Sequence, residues 1–374
     1  MGKELNISKL IESVSGDPEV MVVASRVLKG ERISIDETVL LYEKAGLGLL
    51  GVLSNYVSTV KNGNRVFYNK NFHIEPTNLC VHSCKFCSYK REQGQEGSWV
   101  LTLEDIKNLA KTYKSNAATE VHITGGVHPD WDIEFYGKIV ETVKSVLPSI
   151  HVKAFSAVEL DYVIAKAGLT LREGVRLLKN HGLGSIPGGG AEIADERIRR
   201  EMCNSKTTWK RWLEIHEAAH NEGVHSNATM LYGHIENYRH RAEHMDAVRQ
   251  LQDKTGGFNC FIPLKFKASN NKMSLIGEVN TLHDLRNFAV TRIFFDNIQH
   301  IKAYWPMLGK DVAALSLHFG ANDLDGTIDD STKIYSMAGA QEQSPTMTVE
   351  EICTLIRTAD KVPVERDSLY NQLK

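Results

Sequence analysis

Three cysteines carry the first chemical signal. Cys80, Cys84 and Cys87 stand in the run NLCVHSCKFCSYK, spaced C-x3-C-x2-C. Thiolates this close together suit a metal centre, zinc or iron–sulfur. Either centre wants four ligands, and the run holds three. A structural zinc would take His82 or His73 as its fourth ligand, since Cys3His is a normal zinc set. Zinc knuckles usually draw on two separated pairs, and this chain has no second cysteine pair. Three thiolates also match three corners of a [4Fe–4S] cubane, with the fourth iron open to a small molecule. Cys203, Cys260 and Cys353 are scattered along the chain and read as small packing residues.

Bulk properties narrow the surroundings. Of 374 residues, 42% are hydrophobic and 24% charged, ordinary for a globular protein. The 44 Lys and Arg against 46 Asp and Glu offer no basic field for nucleic acid or an anionic membrane. No apolar run nears the roughly 20 residues that span a bilayer. The stretch AGLGLLGVL is too short, MGKELNISKLIES lacks a signal-peptide core, and Asn6 breaks a myristoylation pattern. Six cysteines are too few for a disulfide scaffold. The expectation is a cytoplasmic protein without a nucleic-acid or membrane partner.

The elements that must position the cysteines alternate. PEVMVVASRVLKG and SIDETVLLYEKA have helical periodicity, and Ser34 with Glu37 forms a capping-box signal. These helices are expected to close one end of the regular part. From residue 64, strand candidates RVFYNKNFHIEPT, TEVHITGG, HVKAFSAVE, GLGSIPGGG, HSNATMLYG, FNCFIPLKF, HIKAYWPMLG and ANDLDGT are separated by helical segments. Eight alternating units demand a parallel α/β sheet and fit a (β/α)8 barrel. A doubly wound open sheet is the competing arrangement. The expected organisation is a helical extension over 1–63, a barrel over 64–330 and a helical segment over 331–374 packed on it. Glycines and polar residues gather at the strand ends, the active-site face of a barrel.

C-x3-C-x2-C after the first strand of a barrel resembles the radical S-adenosylmethionine (SAM) superfamily. The resemblance implies a [4Fe–4S] cluster on Cys80, Cys84 and Cys87, SAM held at the open iron, and one-electron cleavage to a 5′-deoxyadenosyl radical. It also implies a flavodoxin- or ferredoxin-type electron donor. Phe86 matches an aromatic position near adenine, and Thr124, Gly125 and Gly126 in ITGG resemble the family's glycine motif for the SAM amino group. Further strand-end runs, HIEPTNLC, KAFSAVE, IPGGGAEI, SNATMLYGHIE, FIPLKF, HIKAYWPMLG and GANDLDGT, are similar to the aminofutalosine synthase family over roughly residues 65 to 330. That likeness implies SAM as co-substrate and 3-[(1-carboxyvinyl)oxy]benzoate as the small-molecule substrate. The radical would add to the enol ether, and rearrangement with decarboxylation would give 6-amino-6-deoxyfutalosine for menaquinone. Cyclic dehypoxanthine futalosine synthase and the tyrosine-using subunit of the deazaflavin pathway are neighbouring alternatives. A zinc-binding module is the alternative of another class.

Such chemistry needs partners for two carboxylates and for ribose hydroxyls. Ser156, Glu159 and Glu192 are candidate hydrogen-bonding groups for the cofactor, with a helix N-terminal charge as the plainer role for the two glutamates. Gly189 and Gly190, within Gly188 to Gly190, suit close approach of SAM to bare backbone. Lys302 and Tyr304 share a strand face by the two-residue period. His73, Asn227 and His234 are the candidate catalytic residues, and His122 could face the interior. Asp323 and Asp325 lie on the eighth strand, and Arg292 is expected to pair with Asp296.

Overall fold

Local signals set the first helices. The computed structural model describes residues 11, 17–114, 117–326, 333–340 and 345–373. Helix α1 (Pro18–Leu28) begins at Asp17, whose carboxylate accepts the N–H groups of Glu19 and Val20. Helix α2 (Ile35–Lys44) begins in the Ser34–Glu37 capping box. Helix α3 (Leu47–Asn62) stops at Gly63, at φ 61°.

The barrel then builds in order. Strands β1 (Arg65–Tyr68) and β2 (Asn71–Ile74) are followed by α4 (Leu103–Thr112), β3 (Glu120–Ile123), α5 (Ile133–Val146) and β4 (His151–Ala154). Next come α6 (Ala157–Lys166), α7 (Leu171–Asn180), β5 (Leu183–Ile186), α8 (Glu196–Cys203), α9 (Trp209–Asn221) and β6 (His225–Tyr232). Then follow α10 (Tyr238–Thr255), β7 (Phe258–Lys265), α11 (Thr281–Phe294), β8 (His300–Ile301), α12 (Trp305–Leu308) and α13 (Lys310–Ser316). Helices α14 (Ile334–Met337) and α15 (Val349–Thr358) precede β9 (Val362–Glu365).

Strands β2 to β8 form one parallel sheet in sequence order. The ring shuts through residues 322–325. Asn322 N–H donates to Ile301 and Ala303 N–H donates to Asp323, while Phe67 N–H donates to Asn322 and Leu324 N–H donates to Phe67. Since β1 runs on into β2, this segment links the two edges of the sheet in a (β/α)8 arrangement.

Several local expectations differ from the structure. HVKAFSAVE is not one strand: β4 ends at Ala154, and Ala157 already begins α6. Ser156 and Glu159 form the capping box of that helix, an S-x-x-E signal visible in the sequence. HIKAYWPMLG keeps two strand residues before the Trp305–Leu308 turn of helix. ANDLDGT pairs through isolated bridges at Asp323. The segment after 331, expected to be helical, also carries β9, which pairs with β1 in parallel. The N-terminal helices lie along the flank, α2 on α10 and α3 on α11. Arg292 does not meet Asp296. It donates to the carbonyls of Gly320 and Gln299 and to Asn322 Oδ1.

Alternation along the strands decides what faces inward. On β6, Asn227, Thr229 and Leu231 line the internal cavity, while Ala228, Met230 and Tyr232 are buried in the hydrophobic cluster. The lower interior is polar. Glu120 pairs with Lys153, Lys302 Nζ lies 3.1 Å from Asp325 Oδ1, and Arg366 Nε lies 2.5 Å from Asp323 Oδ2. Arg366 follows β9 directly, so residues 366–373 sit at the barrel end opposite the cysteine loop.

Buried neutral histidines give the fold a pH signature. Burial lowers His220 to about 4, and His244 and His300 to about 3. His300 Nδ1 faces the Asn322 amide at 3.0 Å, an acceptor role that protonation would end. The folded state thus holds fewer protons than the unfolded chain below the ordinary histidine pKa of about 6.5. This stabilisation is complete above that value and is lost as pH falls toward 4. The expected slope is about 1.4 kcal/mol per pH unit for each such histidine. Urea midpoints at pH 7 and pH 5 check it, and equal midpoints would contradict it.

Candidate active site

The strand ends and the loops above them enclose a cavity of about 310 Å³, within the size range of small-molecule sites. Cys80, Cys84 and Cys87 all line it. Their loop is tied down on two sides. Val81 N–H donates to Val127 after β3, and Lys85 N–H donates to the Met202 carbonyl of α8 at 2.7 Å. Lys90 N–H points at Cys87 Sγ, 3.4 Å away.

Burial pushes the Cys84 thiol up to about 12, with Lys206 working against it. A bound metal is therefore what would hold this residue as thiolate. Among the described residues, no three His, Cys, Asp or Glu side chains converge as one metal ion requires. A cubane asks for one thiolate at each of three separate irons, and three soft donors on one rigid loop fit that demand.

The glycines after β3 have a packing reason of their own. A Cβ on Gly125 would stand 2.6 Å from the Thr77 carbonyl oxygen, and one on Gly126 would stand 2.1 Å from that of Leu79. The bare backbone lets the end of β3 pass under the chain that leads into Cys80. Gly126→Ala must push that chain away. We expect iron incorporation on reconstitution to fall at least several-fold, read by iron and sulfide assay. Full incorporation would show that the loop gives way freely.

In the glycine run after β5, a Cβ on Gly188 would meet the Asn227 carbonyl at 2.1 Å and one on Gly190 would meet Val158 at 2.4 Å. Gly189 has only Ser156 Cβ nearby, at 3.8 Å, and is the member that leaves room for a ligand.

Most of the residues proposed from sequence meet in this cavity. Phe86, Thr124, Gly125, Gly126, Ser156, Gly189, Gly190, Glu192, Asn227, Lys302 and Tyr304 all line it, as do His122 and Asp325. Four proposed residues do not, one of them Asp323, which is buried against Arg366. His73 is buried behind, its ring 4.7 Å from that of His122. His234 has a fully buried side chain, held by the Leu231 carbonyl at 3.0 Å and Glu236 at 3.1 Å. Glu159 turns away from the lining into its capping box. There it accepts from Ser156 N–H and Oγ at 2.7 Å and from Thr124 Oγ1 at 3.1 Å. Burial lifts its pKa to about 7 against those hydrogen bonds. It acts on the cavity by fixing Ser156 and Thr124.

Sequence reasoning missed the cations. Lys90, Lys153, Lys206, Lys265 and Lys267 join Lys302 in the lining, against two carboxylates, Glu192 and Asp325. The missed residues come from separate strands and loops with no shared motif; only the inward parity of Lys153 on β4 hinted at one. Glu192 and Asp325 are also the strained members, at φ 49° and 64°. Non-glycine residues there are uncommon and cluster at functional sites.

The comparisons agree with this geometry. Residues 74–248 match the Radical SAM superfamily, and residues 255–374 match the CofH/MqnC C-terminal region. An aminodeoxyfutalosine synthase from Thermus thermophilus is 39% identical, with 96% of this chain and 97% of that protein covered. The chain belongs to the radical SAM superfamily. It is an enzyme of radical SAM transfer chemistry, closely related to aminodeoxyfutalosine synthase, and its cofactors are a [4Fe–4S] cluster and SAM. A 5-amino-6-(D-ribitylamino)uracil–L-tyrosine 4-hydroxyphenyl transferase from Methanothermobacter thermautotrophicus is 36% identical, covering 92% of this chain and 95% of that protein. The crystal structure of methylornithine synthase superposes with a TM-score of 0.71 at 18% identity, covering 91% of this chain and 97% of that one, a likeness of fold. No helix among the described residues is long and apolar enough to cross a membrane.

Proposed function

We propose that this enzyme joins the adenosyl part of SAM to 3-[(1-carboxyvinyl)oxy]benzoate, forming 6-amino-6-deoxyfutalosine for menaquinone biosynthesis. Methionine is released and one carboxylate carbon is lost. The observation that carries this reading is the set of six lysines in the lining. Lys153, Lys206, Lys265, Lys267 and Lys302 are each held by a carboxylate, so what they offer a dianion is placed ammonium N–H donors rather than an excess of positive charge. The proposed substrate is a dianion with an apolar ring and needs cationic partners.

When bound, the cluster and SAM supply the adenosyl radical, after one electron from a flavodoxin- or ferredoxin-type donor. The chain's own residues hold and shield. Cys80, Cys84 and Cys87 hold the cluster. Phe86, Thr124 and Gly189 bound the space beside it, and Ser156 and Glu192 offer acceptors for ribose hydroxyls. Lys153, Lys302 and Asn227 face the deeper space, where a carboxylate can be met. Leu231, Ile262, Leu264 and Phe266 form an apolar wall that suits a benzoate ring and keeps water from a radical. The segment after 331 would form the C-terminal unit of the organisation, packed on the barrel through β9 on β1.

The archaeal transferase supports a second reading, with L-tyrosine as the aromatic partner. A tyrosine site needs an acceptor for an ammonium group, and the lining offers fewer acidic than basic groups. Anaerobic incubation with SAM, dithionite and the enol-ether benzoate decides, beside a parallel incubation with L-tyrosine and 5-amino-6-(D-ribitylamino)uracil. The expected result is an adenosyl adduct and methionine only in the first. Free 5′-deoxyadenosine without an adduct would overturn the addition.

A further inference from the structure

Lys206 stands where no sequence motif placed a functional group. It lies in the loop between α8 and α9, and that loop grips the cysteine run. Besides the Lys85–Met202 bond, Ser83 N–H donates to Ser205 Oγ at 3.2 Å. The Lys206 side chain is 14% exposed, and its Nζ lies 2.5 Å from Glu192 Oε1. The same ammonium sits 5.1 Å from the centroid of the Phe86 ring, between Cys84 and Cys87 in sequence.

The pair stands against the cysteine run. Lys206 and Glu192 line the same cavity as Cys80, Cys84 and Cys87. Glu192, at 2.5 Å, holds the buried ammonium in its charged form. The ammonium thus lies beside the cysteines, over the Phe86 ring, with Glu192 as its anchor.

We infer that Lys206 is an electrostatic tuning residue that raises the reduction potential of the cluster, with Glu192 setting how much of its charge the cluster feels. Reduction adds an electron to a site already carrying three thiolates. A buried cation beside them favours the reduced state, because net charge and local polarity set iron–sulfur potentials. The low local dielectric keeps the effect from being screened.

The test uses the full chain with its cluster reconstituted, without SAM or substrate, so its outcome does not depend on which reaction follows. Midpoint potentials are read by EPR-monitored redox titration. Lys206→Met is expected to make reduction at least tenfold less favourable, a shift of 59 mV to more negative potential for one electron. Lys206→Arg is expected to stay near the wild type. Glu192→Gln, which removes the counter-charge, is expected to shift the potential the other way, and the double variant Lys206→Met/Glu192→Gln to fall between the singles. Coincident midpoints for Lys206→Met and wild type at matched iron and sulfide content would overturn the inference. If Lys206→Met fails to take up a cluster, Glu192→Gln alone decides, and an unchanged or more negative potential overturns it.

Discussion

Cys84→Ala is expected to drop turnover below detection and to lower bound iron well under four per chain after anaerobic reconstitution. The cause is the donor set: three thiolates are the whole protein contribution to a cubane, so losing one leaves two irons open. Cys203 is the nearest other thiol, close enough to act on the charge of Cys84, but it is buried in the core cluster at the end of α8 and does not line the cavity. Cys203→Ala is therefore expected to keep both its iron and its turnover. Iron, sulfide and adduct formation measured on both variants check the assignment. Near-normal turnover in Cys84→Ala would remove the cluster from these residues.

Arg366→Ala is expected to cost about 3–5 kcal/mol of stability, the usual result of stripping one partner from a buried ion pair. The side chain is 1% exposed, and its guanidinium lies 2.5 Å from Asp323 and 4.1 Å from the Tyr370 ring centroid. Without it, Asp323 keeps the Asp325 N–H at 2.6 Å and, among the described residues, Lys302 at 4.0 Å as its counter-charge, a weak match for a buried carboxylate. The double variant Arg366→Met/Asp323→Asn should lose much less than the two singles combined, because no charge is left stranded. Urea unfolding of the four proteins measures the coupling. A loss under about 1 kcal/mol for Arg366→Ala would class the pair with exposed ones.

The cysteine site was legible because three ligands fall within eight consecutive residues and one spacing carries the chemistry. The barrel was legible because strand and helix periods alternate over most of the chain. What escaped was whatever depends on three-dimensional closure. Lys153, Lys206 and Lys265 meet in the cavity from β4, a loop and β7, and beyond the strand parity of Lys153 no local pattern marks them. His73 and His234 looked like strand-end chemistry, yet packing against His122 and pairing with Glu236 occupy them. Glu159 was legible in principle, since Ser156-x-x-Glu159 is a capping box, but reading KAFSAVE as continuous strand hid it. Strand β9 escaped because VPVE, with a proline and few apolar neighbours, looks like neither a strand nor a helix. It exists because β1 offers it an edge.

That edge bears on how the protein is made. Val66 pairs with Pro363 and Tyr68 with Glu365, partners almost three hundred residues apart, and Arg366 reaches Asp323 only once they have joined. During synthesis the cysteine loop emerges early, while the strand that braces the barrel's first edge is still unmade. Residues 322–325 can shut the ring before then, but the Arg366–Asp323 pair beneath it forms only once residue 366 has cleared the ribosome. Contacts this remote slow folding and leave β1 an open edge in the meantime. A nascent chain stalled before β9 would present its thiols in a barrel that lacks this brace.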